Sequence, residues 1–416
     1  MTMAPTARLL IVALALATAM DASARTWRHS ARAGLNALIQ RAQPGDTIRI
    51  AGTVAEGTIL LNKRLVLLGH ANAVVDGGGR GDVIIVSADS ITVKGLTVRG
   101  ARHSSLEDMA GIKVSNCRGA RIIGNTLDRC FFAIYLNNAH GALLEGNQVN
   151  GDVAHPDSMA NGIHLWKCDG AAIRGNRVHH HRDGIYLEFV TDSRIEGNHT
   201  WSNQRYGLHF MFSHRDAYER NRFEDNGAGV AVMFSKEISM LRNEFRNNLG
   251  GSAYGLLLKE INDARIERNV FAGNTVGILV DGCNRAQVHD NEFRGNGWAV
   301  KLFANSTATV FERNTFVGNT FDMTTNGDLV LSELKGNYWD RYNGYDLDRD
   351  GRGDVPHRPL SIFALVAERM PFAMVLSRSL MVNLLDQSER IVPTLTPAAL
   401  EDKQPLMKPP HGQDRH

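Results

Sequence analysis

The chain has 416 residues, 43% hydrophobic and 22% charged, which excludes both a disordered polyelectrolyte and a bundle of membrane spans. Its 46 Lys and Arg against 44 Asp and Glu leave a formal charge of +2, so nothing drives it in bulk toward nucleic acid or anionic membrane. With 40 glycines and only 11 prolines, it is composed for many short turns between strands.

Residues 1–24 read as a cleaved export signal. Arg8 opens it, Leu9 to Met20 is apolar, and Ala22-Ser23-Ala24 offers a cleavage site. The run is too short for a bilayer core, which takes about 20 apolar residues. The mature protein is therefore expected to be soluble outside the cytoplasm. Residues 25–44 follow as an N-terminal cap, with a short helix between Arg28 and Gln40 covering the first coil.

Two markers then recur in step. Asparagines stand at 125, 147, 176, 198, 221, 243, 269, 291 and 314, spaced by 22 to 29 residues. A small residue plus an aliphatic keeps the same period, as in Gly162-Ile163, Gly184-Ile185, Gly207-Leu208 and Gly229-Val230. Inside each repeat the apolar spacing is two, as in Ile185-Tyr-Leu187, which is strand periodicity. A unit of about 22 residues cannot close its own core, but stacked units can. The fold expected is all-β: a right-handed parallel β-helix over 45–340, with coils about 4.8 Å apart. The asparagines are expected to stack as an amide ladder at one turn.

Cys117, Cys130, Cys168 and Cys283 show no metal spacing. Cys117 and Cys168 lie on one line but two coils apart, beyond the roughly 7 Å limit of a disulfide, so buried free thiols are expected.

Residues two and four after each repeat glycine point outward and form columns. One reads His164, Tyr186, His209, Ala231, Leu257, Leu279, Lys301; the other reads Trp166, Glu188, Met211, Met233, Lys259, Asp281, Phe303. Imidazole beside thioether suits a soft ion, and copper is the metal expected at His209, Met211 and Met233, with His214 and Glu188 nearby. Half of the 16 histidines fall between His155 and His214. The same columns also suit a docking face for partner proteins.

Catalysis is less well served. Asp183, Glu188 and Lys167 are available, but no three carboxylates stack at the repeat spacing. His155-Pro156-Asp157 lies in the excess of the longest repeat and reads as a turn. A polysaccharide lyase or uronan epimerase stands as the enzymatic alternative to a protein with no catalytic residues.

Beyond the coils, 341–359 is Asp-rich. Asp346, Asp348 and Asp350 with Gly351 match the first half of a calcium loop, with Asp354 beyond, but His357 stands where a bidentate Glu is expected. Residues 360–416 read as a partner-docking tail, an amphipathic stretch from Leu360 to Ile391 and a Pro-rich end. The coils are expected to fold without it, with folding back of its apolar residues along the β-helix as the other reading.

Several runs resemble the NosD family. They are Gly207-LHFMFSH-214, Gly229-VAVMFS-235, Ala253-YGLLLKEI-261, Asn296-GWA-299, Asn319-TFDM-323, Asn337-YWDRYNGYDLDRDGRGDVPHRP-359 and Gln404-PLMKPP-410. The resemblance implies a non-enzymatic periplasmic partner of an ABC transporter. It also implies an ATPase of the NosF type, a permease of the NosY type, a copper chaperone lipoprotein of the NosL type, and a role in assembling the copper–sulfur centre of nitrous oxide reductase.

Overall fold

The computed structural model describes residues 24–30, 34–104, 106–155, 158–327, 331–376, 379–391 and 400–410. The expected export signal, apart from Ala24, lies outside these residues, as do Pro156 and Asp157 of the expected loop.

Each coil contributes short strands to three parallel sheets of 14, 12 and 13 strands, which wind into a right-handed parallel β-helix. Strand residues alternate between core and surface, as in Ile163–Trp166 and Asp183–Glu188. Inside, Phe223, Phe245, Phe271, Phe293, Phe316 and Trp339 stack ring on ring with centroids 4.2–5.4 Å apart. The five phenylalanines stand two residues after the asparagines from Asn221 to Asn314, and Trp339 two after Asn337.

The amide ladder runs through those asparagines as expected. Each side-chain oxygen accepts from the side-chain and backbone N–H of the asparagine one coil earlier, as in Asn221 to Asn243 at 3.0 Å for both. Each amide nitrogen also donates to a carbonyl of the preceding coil, such as Ile195 for Asn221. Buried donors and acceptors at this turn are thereby paired without water. A second ladder, unforeseen, runs five residues later through Asn203, Asn226, Asn248, Asn274, Asn296 and Asn319.

All four cysteines are free and buried. Burial pushes the Cys117 and Cys168 thiols up to about 11 and those of Cys130 and Cys283 up to about 12, which keeps them protonated.

Two boundaries differ from expectation. The cap is part of the solenoid, because Thr26–Arg28 pairs in parallel with the strand at Thr47–Ile50; the helix beside it is Leu35–Arg41. The tail is also not separate. Helix Ile362–Arg369 packs Phe363, Ala364 and Ala367 on Phe321, and Glu368 pairs with Lys301 at 2.5 Å. Asp402 and Leu406 bridge to Leu334 and Tyr338 on the last coil. The last coil leaves apolar side chains and backbone donors uncovered, and these segments cover them. Between them the amphipathic stretch breaks at Pro371 into a 3-10 turn, Pro371–Leu376, and a helix, Leu380–Ile391.

Candidate functional site

The outward face of the 12-stranded sheet carries both expected columns. His164 pairs in register with Tyr186, Tyr186 with His209, and His209 with Ala231. Alongside, Trp166 pairs with Glu188, Glu188 with Met211, and Met211 with Met233. His209, Met211, Met233 and Glu188 are thus brought together, Met211 and Met233 one coil apart. His214 is not among them. The corner at Phe212 and Ser213 carries it onto the 14-stranded side, where it bridges Thr191 and Lys236.

His209 faces outward yet is only 5% exposed. The rings of Tyr186 and Tyr206 pack against it with centroids 4.9 and 4.8 Å away, and Arg205 lies over Tyr206. Its Nδ1 lies 3.4 Å from Asp183 Oδ2 and 3.2 Å from Arg205 Nη2, while its Nε2 is buried with no hydrogen-bond partner. A buried nitrogen of this kind is costly unless something else takes it up. His164, on the far side of Tyr186, repeats the pattern with an unpartnered Nε2. Burial, and then the charge of Arg182, lowers its pKa to about 3, so its imidazole is neutral. The Tyr186 hydroxyl donates to Met211 Sδ at 3.8 Å. Burial and the carboxylates of Glu188 and Asp183 push that phenol up to about 12.

Imidazole and two half-buried thioethers are a soft donor set, and carboxylate next to a ligating imidazole is how proteins fix its orientation. A soft ion on Met211 and Met233, backed by His209, fits these residues. The roles of Asp183 and Tyr186 were missed because each depends on a partner more than 20 residues away.

At the corner that follows the second column, Phe189, Phe212 and Phe234 stack with centroids 5.3 and 5.1 Å apart. All three have φ between 50° and 54°, a left-handed conformation that bulky residues rarely take. Phe189 and Phe212 are exposed, so the thioethers are edged by an apolar ridge.

The candidate catalytic groups Asp183 and Lys167 are engaged elsewhere. Asp183 is consumed by a bidentate pair with Arg205 at 3.1 Å, and Lys167 lies over Trp166 at 4.2 Å. Farther along, ligand oxygens of Asp346, Asp348 and Asp350 lie within 4.8 Å of one another. These carboxylates accept backbone N–H groups of Asp350, Gly351 and Arg352. Asp354 instead accepts from the Leu347 N–H at 2.7 Å. His357 is half-buried against Trp339 and Tyr342 and takes no part in the cluster.

Among the described residues no helix is long and apolar enough to cross a membrane. Residues 147–344 match the family model described as periplasmic copper-binding protein (NosD). The probable ABC transporter binding protein NosD of Pseudomonas aeruginosa is 28% identical over 86% of this chain and 87% of its own length. Its counterpart in Stutzerimonas stutzeri is 26% identical over 85% of each. Among solved structures, the catalytic unit of a GH87 alpha-1,3-glucanase from Streptomyces thermodiastaticus superposes with a TM-score of 0.55 at 13% identity, over 77% of this chain and 66% of the glucanase. The Dettilon tailspike protein gives 0.53 at 12% identity, over 72% and 63%. These two share the fold.

Proposed function

We propose that this chain, which belongs to the NosD family, is the periplasmic, non-catalytic member of an ABC transporter complex and handles copper(I). The copper serves assembly of the copper–sulfur centre of nitrous oxide reductase. Permease and ATPase subunits of the NosY and NosF type and a lipoprotein chaperone of the NosL type are its partners. The observation that carries the reading is the Met211–Met233 thioether pair in register on an outward face, with the unpartnered Nε2 of His209 behind it. Thioethers favour Cu(I), and a site of few, half-exposed donors suits a cargo that must leave again.

The permease docks on the apolar surface left between the two anchored parts of the tail. There Phe372 is 91% exposed, Leu380 74% and Met381 71%, an unusual concentration of large apolar side chains in water. The Asp346, Asp348 and Asp350 cluster is the place for calcium in this reading.

Anaerobic Cu(I) titration against a competing chelator tests the site. The Met211→Ala, Met233→Ala double variant is expected to lose an equivalent of copper while melting normally. Unchanged binding would remove the site. In a deletion strain, reductase carrying its full catalytic copper would refute the maturation role. Turnover of a uronate polymer by the purified protein would favour the enzymatic alternative.

A further inference from the structure

Neighbouring residues of a strand point to opposite faces, yet the imidazoles of His179 and His180 face each other with their Nδ1 atoms 2.6 Å apart. The backbone explains this. His180 follows the strand Arg177–His179 at φ 56°, and the left-handed turn swings its Cβ toward the side its neighbour occupies. Corners of the following coils hold Ser202, Asp225 and Asn247, also at positive φ. The turn is therefore common to the fold, whereas paired imidazoles belong to this coil.

The adjoining coils frame the pair. On one side, Gly151 stands where any Cβ would meet the His180 carbonyl oxygen at 1.8 Å, so only glycine allows so close an approach. On the other, Trp201 lies in register with His179, ring centroids 4.4 Å apart and tilted by 33°. The Arg177 guanidinium sits 5.0 Å from the Trp201 ring, and His199 is tied to Glu224 at 2.6 Å.

We propose that His179 and His180 hold one copper(I) ion between their Nδ1 atoms, a second site on a different sheet from Met211 and Met233. The identity of the ion rests on the copper reading above; the site itself rests on the paired nitrogens. Imidazole accepts copper readily, and two such nitrogens in line give the low coordination that Cu(I) accepts. With metal–nitrogen bonds of roughly 2 Å, a linear pair spans about 4 Å. The rings must therefore open, and both side chains are half-buried rather than enclosed. The positive charge of Arg177 nearby disfavours a divalent ion more than a monovalent one. Trp201 packs against the His179 ring and covers that side of the pair.

The test is anaerobic Cu(I) titration of the mature full-length chain against a chelator, with tryptophan fluorescence read in parallel. Wild type is expected to take two equivalents. His179→Ala, His180→Ala should take one, with an unchanged melting temperature, and Met211→Ala, Met233→Ala should keep the His-pair equivalent. Quenching that accompanies this equivalent should vanish in Trp201→Phe. Should the double alanine variant fold poorly, His180→Asn keeps the left-handed corner and removes one ligand; at least a tenfold weaker equivalent is expected. Two equivalents of unchanged affinity in these variants overturn the second site and leave the proposed function standing. A wild type that binds no Cu(I) overturns both.

Discussion

The carboxylate of Asp402 takes the place of a further asparagine on top of Asn337. Its Oδ2 accepts from the Asn337 backbone N–H at 2.8 Å, from the Asn337 side chain at 3.0 Å and from Trp339 Nε1 at 3.2 Å, while Oδ1 accepts from the Gly336 N–H at 3.0 Å. A residue 65 positions away in sequence thus terminates the ladder that began at Asn125. Asp402 is fully buried, so these donors have no water to turn to.

Asp402→Ala is therefore expected to destabilise the protein by roughly 3 kcal/mol, the scale for leaving buried donors without an acceptor. Asp402→Asn should recover part of that, since one oxygen remains. Urea unfolding measures both.

Truncation after Pro359 removes Asp402 and the cover over Phe321, so a clear fall in melting temperature is expected. Phe372→Ser with Met381→Ser, by contrast, should leave melting unchanged, because both side chains are already in water. The same double variant should fail to co-purify with the permease. Retained co-purification would move the docking surface elsewhere.

Asp216 sets a pH dependence. Burial, reinforced by Asp192 and opposed by the Ser193 N–H and Arg215, raises its pKa from 3.8 to about 8. Its folded pKa lies above its unfolded one, so the folded state holds a proton that the unfolded state releases. The stability it contributes is complete below pH 3.8 and is lost as pH rises toward 8. Unfolding free energy measured from pH 5 to pH 8 should fall more steeply for wild type than for Asp216→Asn. Parallel profiles would place the charge elsewhere.

The Phe189, Phe212 and Phe234 ridge stores backbone strain. A left-handed φ costs a bulky residue about 1–2 kcal/mol, and stacking returns about 0.5–1.5 kcal/mol per pair. Phe212→Asn exchanges one for the other, so stability within about 1 kcal/mol of wild type is expected from chemical denaturation. If the ridge serves a partner rather than the fold, the loss shows in capture of that partner and not in melting.

The sequence by itself determined the coil. Period-two strands around Ile185 and Val230, the recurring asparagines and the outward columns through His209 and Met211 are all local or repeating signals, and stacking in register turns them into positions in space. The second amide ladder is legible too, at a constant five residues after the first. Tertiary structure alone decided the rest. Whether His209 is exposed depends on Tyr206 and Arg205 turning over it, and whether the tail stands apart depends on unpaired donors at Gly336 and Asn337. Burial and pairing belong to neighbours brought together across coils, and no periodicity within one repeat records which neighbour will arrive.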